Sequence, residues 1–188
     1  MQKYFQTVKD YIADHKKQFK LGSIITLGVL VIAGIVGLLI YNATPRYVYQ
    51  PVNACELFTL QEAEELLGKD VVFAGSDAPV VSYDRAISKC GYTDKNSDIA
   101  QKITAAVAVR SGIDDKGVQQ NSNDFAVGKA NKNNTPVKDL GDDAYFNPSS
   151  GQLNVLSGRE WVIISYGLGQ TPQDNTLEQA LQVAHKVL

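Results

Sequence analysis

An uninterrupted apolar segment near the start of the chain constrains the fold more than any other feature. Residues 21–41 read LGSIITLGVLVIAGIVGLLIY, with no charged residue and no proline. As a helix that rises about 1.5 Å per residue, this segment is about 31 Å long, which matches the hydrocarbon thickness of a bilayer. A helix buried in a protein core is normally shorter and carries a polar stripe. The segment therefore predicts a transmembrane helix over residues 21–41, with the lipid bilayer as its partner.

Two kinds of processed segment also contain apolar runs, but both fit this chain less well. A cleaved signal peptide has an apolar region of about 7–15 residues followed by small residues at the cleavage site, and neither feature is found here. A lipoprotein carries its lipid on a cysteine close behind the apolar run, whereas Cys55 lies fourteen residues past it. We therefore expect an uncleaved signal anchor.

The charges that flank this segment predict its orientation. Residues 1–20 carry five lysines and two aspartates, a net charge of +3, whereas Arg46 is the only basic residue close behind the segment. Positive residues stay in the cytoplasm, so residues 1–20 are expected to be a cytoplasmic N-terminal segment and the C-terminal domain to lie outside the cell membrane. Residues 42–188 carry thirteen basic and eighteen acidic residues. This acidic balance argues against nucleic acid as a partner.

The cytoplasmic segment and the span each leave two interpretations open. Apolar residues of the first segment recur at helical spacing between lysines, which is typical of an amphipathic helix on the inner leaflet and equally of a charged stub that only orients the chain. In the span, Ala33 and Gly37 form a small-xxx-small pair that permits a weak homodimer through the transmembrane helix. Glycine is also simply common in such helices, so homodimer formation stays the weaker interpretation.

A linker over residues 42–53, with two prolines, leads into the predicted extracytoplasmic domain, residues 54–188. The first element of this domain is a well-defined helix. Thr59 and Glu62, three residues apart, form a capping box, and Gly68 is expected to end the helix in the left-handed conformation. The leucines and the alanine between Thr59 and Gly68 predict one apolar face of this helix.

Short runs of apolar residues predict the strands of a sheet, over residues 71–73, 89–93, 102–110, 152–156 and 161–166. The last of these runs is apolar on both faces, which predicts a central strand covered on both sides. We expect residues 152–156 to pair with residues 161–166 through the turn at Ser157 and Gly158.

The remaining elements complete the predicted fold class. Residues 115–130 are polar and weakly helical, and the chain ends in a second clear helix. The buried stripe of that helix is expected to consist of Leu177, Ala180, Leu181, Ala184 and Leu188. Consecutive strands joined by short turns, with a helix at each end of the domain, predict an α+β fold with a largely antiparallel sheet.

The chain has two cysteines, Cys55 before the first helix and Cys90 at the start of a predicted strand. Outside the membrane disulfides form and persist, so one structural Cys55–Cys90 bridge is the favoured interpretation. A redox pair or a pair of metal ligands is the alternative, but there is no C-x-x-C spacing and no histidine nearby to support either.

Three features of the domain occur together: an opening cysteine with a leucine-rich helix, a second cysteine with an aromatic residue two positions later, and a Leu-Gly-Asp-x-Ala-aromatic segment. In this chain they are residues 53–63 with 66–68, Cys90-Gly91-Tyr92, and Leu140-Gly141-Asp142-Asp143-Ala144-Tyr145. In these features residues 53–188 resemble a family of actinobacterial secreted proteins and lipoproteins known as domain of unknown function 3558. The resemblance implies a location outside the membrane, a strand pair followed by a terminal helix, and no established catalytic residues. Members of that family are often lipid-anchored, whereas this chain carries the predicted span.

Residues that could carry catalysis are sparse in the predicted domain. His185 is its only histidine, and no Gly-x-Ser-x-Gly motif is present, so no nucleophile with a base in reach is evident. Two pairs of adjacent carboxylates, Asp114-Asp115 and Asp142-Asp143, lie in turn-like contexts. In such contexts caps and turns are more common than a catalytic dyad, so no catalytic residue is predicted.

Residues 94–98, Asp-Lys-Asn-Ser-Asp, match the first half of a calcium-binding loop. Such a loop requires glycine at its sixth position and glutamate at its twelfth, where this chain has Ile99 and Ala105. A hairpin turn is therefore expected, and no metal or cofactor is predicted.

We expect a non-catalytic binding, sensing or scaffolding module of the cell envelope, with an envelope protein as its partner. Two alternatives stay open: an envelope hydrolase with a carboxylate site, and an accessory subunit of a membrane complex. A pocket that gathers two carboxylates would favour the hydrolase, whereas an apolar patch on the sheet or on residues 115–135 would favour binding of a partner.

Overall fold

The computed structural model describes Gly34 and residues 49–96 and 98–188. The chain divides between Val48 and Tyr49, and the unit formed by residues 49–188 is the domain described here. The predicted cytoplasmic segment and transmembrane helix lie, apart from Gly34, outside the described residues. Within the described residues, no helix is both long and apolar enough to cross a bilayer.

The domain contains four α-helices and seven strands among its described residues. The helices are α1 (Ala54–Leu57), α2 (Leu60–Leu67), α3 (Asp115–Lys129) and α4 (Leu177–Val187). The strands are β1 (Val72–Ser82), β2 (Arg85–Thr93), β3 (Ile103–Gly112), β4 (Thr135–Val137), β5 (Asp143–Asn147), β6 (Gln152–Ser157) and β7 (Glu160–Leu168). Two short 3₁₀ helices, Ile99–Gln101 and Pro172–Asp174, lie in connections.

The seven strands form one sheet in the order β1-β2-β3-β7-β6-β5-β4, and every pair in it is antiparallel. The predicted α+β class with an antiparallel sheet and a helix at each end is therefore confirmed. β7 is the middle strand of the sheet, as its two apolar faces predict. It pairs with β6 across the turn at Gly158 and with β3 over its whole length.

Three helices cover one face of the sheet, which we call the inner face. Alternate residues of the central strands point to this face and are fully buried with α1, α2 and α4, because strand side chains alternate between the two faces. Both longer helices on this face begin with a capping box, at Thr59 with Glu62 and at Thr176 with Gln179. Each box satisfies backbone N–H groups that the first turn of a helix leaves without partners.

The remaining helix, α3, packs on the opposite face, which we call the outer face. Asp114 caps it by accepting a hydrogen bond from Gly117 N at 2.9 Å. Its aromatic residue Phe125 is buried against the rings of Tyr145 and Trp161, with centroid separations of 4.9 and 5.9 Å. The polar stretch that the sequence marks as weakly helical is thus a complete helix, with a capped start and a buried aromatic residue that packs on the sheet.

The structure corrects several local predictions. The strand expected at 71–73 is the start of an eleven-residue edge strand, and β4 and β5 lie outside the predicted strands. In α4 the buried residues include Val183 and Val187, whereas Leu188, expected in the stripe, is exposed. Gly68 ends α2 at φ 94° and ψ 169°, which is a positive-φ conformation but not the left-handed helical one.

Residues 49–53, which the sequence places in the linker, pack on the end of the sheet. The backbone N–H of Val52 donates to Ser111 Oγ at 3.3 Å, and Ser88 Oγ donates to the carbonyl of Val52 at 2.7 Å. The hydroxyl of Tyr49 donates to the carboxylate of Glu160, and the guanidinium of Arg159 lies 5.3 Å from the centre of the Tyr49 ring. The chain therefore enters the domain at the end of the sheet where β3 finishes and β7 begins.

Candidate binding surface on the first hairpin

The two cysteines predicted to pair form a disulfide, Cys55–Cys90. It joins α1 to β2 across the inner face, and Cys90 is almost completely buried. The backbone N–H of Ala54 also donates to Ser88 Oγ at 3.0 Å, so the bridge and the hydrogen bond hold the same two elements together. A bridge with one cysteine buried and the other partly buried fits the structural interpretation of the cysteines.

Each pair of adjacent aspartates has a specific structural contact. Asp114 caps α3, and Asp115 lies 3.8 Å from the guanidinium of Arg159. Asp142 accepts a hydrogen bond from Gly158 N at 2.6 Å, so it orders the turn between β6 and β7. Asp143 pairs with Lys129 of α3 at 2.6 Å. These contacts agree with the interpretation of both pairs as turn and cap residues.

The loop between β2 and β3 is held by its own polar side chains. Asp94 Oδ1 accepts from Ile103 N at 3.2 Å, and Asp98 caps the 3₁₀ helix by accepting from Ala100 N at 3.0 Å. Among the described residues, which include all of this loop except residue 97, no group of three or more histidine, cysteine, aspartate or glutamate side chains is arranged to hold a metal ion. The hairpin connection predicted from the sequence is confirmed by the pairing of β2 with β3.

A polar and aromatic cluster joins α3 to the outer face of the sheet. The guanidinium of Arg110 pairs with Asp124 at 2.5 Å and lies 5.3 Å from the centre of the Trp161 ring. Trp161 Nε1 donates to Asn154 Oδ1 at 3.0 Å, and Asn121 donates to the backbone carbonyls of Arg110 and Arg159. These groups are used in contacts with each other, so the cluster acts as the attachment of α3. Its members come from four separate elements, so no pattern within one segment of the sequence indicates the cluster.

The exposed face of α3 forms the rim of an open depression of about 590 Å³, lined by Asp115, Lys116, Gln119, Gln120, Asn123 and Asp124. All of these side chains come from one helix, α3. The two carboxylates among them already lie near arginines, Asp124 beside Arg110 and Asp115 beside Arg159. Asp124 is held closely by its ion pair with Arg110, whereas Asp115 is fully exposed and lies 3.8 Å from Arg159.

Exposed apolar side chains are concentrated on the hairpin formed by β1 and β2. Of the eleven large apolar side chains that are exposed in the described residues, six lie on this hairpin, and we call them the hairpin surface: Val72, Phe73, Val80, Val81, Tyr83 and Ile87. The hairpin lies at one edge of the sheet, since β1 pairs with β2 alone. Exposed apolar side chains concentrated on one element, here at its two ends, are typical of a surface that contacts another molecule.

The turn of this hairpin holds its most exposed residue. Ser82 pairs with Arg85, so Tyr83 and Asp84 form a two-residue loop. Tyr83 has φ 56° and is 97% exposed. Val80 and Val81 precede it with 64% and 58% exposure, and together with Tyr83 they form what we call the hairpin tip. Val80 lies opposite Ile87 and Val81 opposite Ala86, so the tip presents apolar side chains on both faces of the hairpin.

The free edge of β1 is unsuited to pairing with a further strand along its full length. Its pairing with β2 is interrupted twice, between Phe73 and Gly75 and between Asp77 and Val80. Pro79 in the second interruption has no N–H to donate, and bulges, charges and prolines are devices that prevent edge pairing. The exposed side chains of the hairpin, rather than its backbone, are therefore the groups available for binding.

Comparison of the chain with protein-family models, with curated proteins and with solved structures finds no match. The resemblance of residues 53–188 to a family of secreted proteins accordingly stays a prediction from the sequence.

Proposed function

We propose that this chain is a membrane-anchored binding module of the cell envelope. Residues 21–41 hold it in the bilayer as a single-pass signal anchor, with residues 1–20 in the cytoplasm and the C-terminal domain outside. The domain binds an envelope protein and carries out no reaction. The observation that carries this proposal is the concentration of exposed apolar side chains on the hairpin surface.

The part of the hairpin surface farthest from the turn is the proposed contact with the protein partner. Phe73 packs against Tyr92, with ring centres 5.5 Å apart, and yet 53% of it remains exposed. Val72 beside it is also exposed. Aromatic side chains that are half buried in this way are frequent anchors of protein interfaces, because a partner completes their burial.

The contacts of the charged residues support a binding role over the hydrolase alternative. A catalytic pair of carboxylates requires two groups that face a common cavity, with different environments that separate their pKa values. The four aspartates of the two sequence pairs instead hold a helix cap, a turn and two basic residues. The support for the envelope location is the predicted span and the disulfide, which favours an oxidising compartment.

Site-specific photo-crosslinking in the native membrane tests the proposal. A photoreactive amino acid replaces Phe73 in the full-length protein, which carries a tag after Leu188 for recovery. The matched control has the same amino acid at Val127, an exposed apolar position on α3 outside the hairpin surface. We expect one protein to be crosslinked repeatedly from position 73 and not from position 127.

Equal crosslinking from both positions, or none from either, contradicts the proposed binding surface. The anchor is tested separately by extraction of native membranes at alkaline pH, which removes peripheral proteins. If the chain is released by that treatment, the single-pass anchor is wrong.

A further inference from the structure

The hairpin tip and the point where the chain enters the domain lie at the same end of the sheet. Arg159 contacts the ring of Tyr49, and the carbonyl of Arg159 accepts from Gly112 N at 2.9 Å. Ile113, the next residue, donates its N–H to the carbonyl of Asp84 at 2.8 Å, and Asp84 follows Tyr83 in the turn. This chain of contacts connects the entry point directly to the hairpin tip.

The length of the linker determines which end of the domain can reach a bilayer. Seven residues, 42–48, separate the predicted span from Tyr49, so eight Cα–Cα steps join Tyr41 to Tyr49 and reach at most about 29 Å when fully extended. The ten-residue strand β3 extends from the opposite end to the entry end, a distance of about 30 Å. If the opposite end rested on the bilayer, the linker would have to be fully extended along the whole length of the sheet to reach Tyr49, whereas contact at the entry end requires no such extension. The entry end is therefore the end that the linker keeps close to the membrane.

The chemistry of the hairpin tip fits the interfacial region of a bilayer. Tyrosine is enriched at this depth, because its ring is apolar and its hydroxyl remains in contact with water and headgroups. The valines of the tip lie on both faces of the hairpin, so a fluid surface that surrounds the tip covers both, whereas a protein docked on one face leaves the other exposed. The charges next to Tyr83 balance each other, since Asp84 and Arg85 form an ion pair at 3.1 Å.

We infer that the hairpin tip inserts into the outer leaflet of the bilayer that holds residues 21–41. This inference rests on the proposed function, because it needs the anchor. A surface of three side chains is enough for insertion into the leaflet, because the linker keeps the tip at a high effective concentration next to the membrane. Contact at the tip also fixes the orientation of the domain and directs the Phe73 end of the hairpin away from the membrane, toward a partner in the envelope.

Fluorescence quenching by lipids tests this inference on the full chain reconstituted in phosphatidylcholine vesicles. The variants are Tyr83→Trp, with Val80→Trp as a second reporter at the tip, and Ile99→Trp as the matched control. Ile99 is also an exposed apolar residue, but it lies in the connection between β2 and β3 at the opposite end of the sheet. Trp161 is common to all variants, so the wild-type signal is subtracted.

With lipids brominated near the headgroup, we expect quenching of the tip reporters to exceed that of the Ile99→Trp reporter by about twofold or more. Anionic phosphatidylglycerol is not expected to increase it, because the ion pair leaves the tip without net charge. Equal quenching at the two ends, in chain that resists alkaline extraction from the vesicles, overturns the inference and leaves the anchor intact. Release of the chain by alkaline extraction overturns the proposed anchor, and the inference with it.

Discussion

Tyr83 occupies a position in the turn of the first hairpin where glycine is the more usual residue. A two-residue loop with positive φ at its first position favours glycine, and a bulky side chain there costs on the order of 1–3 kcal/mol. Replacement by glycine also increases the entropy of the unfolded chain, which opposes the gain by about 0.5–1 kcal/mol. We therefore expect Tyr83→Gly to raise the free energy of unfolding by about 1 kcal/mol, as measured by denaturant titration of the full chain in detergent.

A second residue in the same conformation provides the control for that prediction. Asp139 has φ 59°, so Asp139→Gly should stabilise the domain for the same reason. Only Tyr83→Gly should weaken contact with lipid, because Asp139 is not part of the hairpin tip. If Tyr83→Gly destabilises the domain while Asp139→Gly stabilises it, the tyrosine has a structural role that its exposure does not reveal.

Through Glu160, the free energy of unfolding of the domain depends on pH. Burial raises the pKa of its carboxyl above the ordinary value of 4.5, although the backbone N–H groups of Arg159 and Glu160 act in the opposite direction. The folded state then holds this proton more tightly than the unfolded state. The contribution of Glu160 to the free energy of unfolding is therefore greatest below pH 4.5 and is lost as the pH rises through the raised pKa.

Glu160→Gln removes this ionisation and keeps an acceptor for the hydroxyl of Tyr49. The variant should be more stable than the wild type at neutral pH, and the difference should shrink in acid, as measured by denaturant titration across that range. Glu56→Gln, which removes an exposed carboxylate, controls for the loss of charge alone. A difference between Glu160→Gln and the wild type that does not change with pH would contradict the assigned cause.

At the scale of elements, α3 depends on a small number of attachments to the sheet. Asn121 is buried and donates to the carbonyls of Arg110 and Arg159 at 2.9 and 3.1 Å. Asn121→Ala leaves both carbonyls without this donor, so we expect a loss of about 1–3 kcal/mol in the free energy of unfolding. Asn123→Ala, an exposed position on the same helix, should change stability by less than about 0.5 kcal/mol. Similar losses in the two variants would mean that these hydrogen bonds contribute little.

The elements predicted correctly are those that carry a signal within their own sequence. Thr59 with Glu62 marks the start of α2, and the apolar residues of β7 mark a central strand; in both cases neighbours in sequence decide the outcome. The residues of β1 predict a strand only at its start because Gly75, Asp77 and Pro79 disfavour a strand. They are tolerated there because β1 is an edge strand, and its position in the sheet is a tertiary property.

The candidate binding surface could not be predicted from the sequence for the same reason. Valines and an aromatic residue in a strand normally predict burial, so nothing in the residues of β1 distinguishes an exposed apolar strand from a buried one. The exposure of Val80 and Val81 follows from the absence of a further strand or helix beyond β1 among the described residues. The disulfide, in contrast, was predictable, since two cysteines allow only one intramolecular pairing.

At the scale of the whole domain, the disulfide is a contribution to stability that a change of conditions can remove. It closes a loop with a sequence separation of 35 residues, which corresponds to about 4 kcal/mol in the chain-entropy model. Reduction should therefore lower the unfolding midpoint of the wild type, as followed by Trp161 fluorescence. The double variant Cys55→Ala with Cys90→Ala should start from the lower midpoint and be unaffected by the reductant. An unchanged midpoint after both thiols have been shown to be free would contradict this estimate.

The position of β7 in the middle of the sheet has a consequence for the order in which the domain is assembled during synthesis. The first three strands form a continuous meander, and both cysteines lie within the part of the chain that ends with it. Strands β4 to β6 form a second meander, which has no partner in the first. The two meanders are joined only after residues 160–168, which form β7, have been synthesised. The disulfide can thus form when only the first three strands have been synthesised, whereas the core is completed only after β7 has been synthesised.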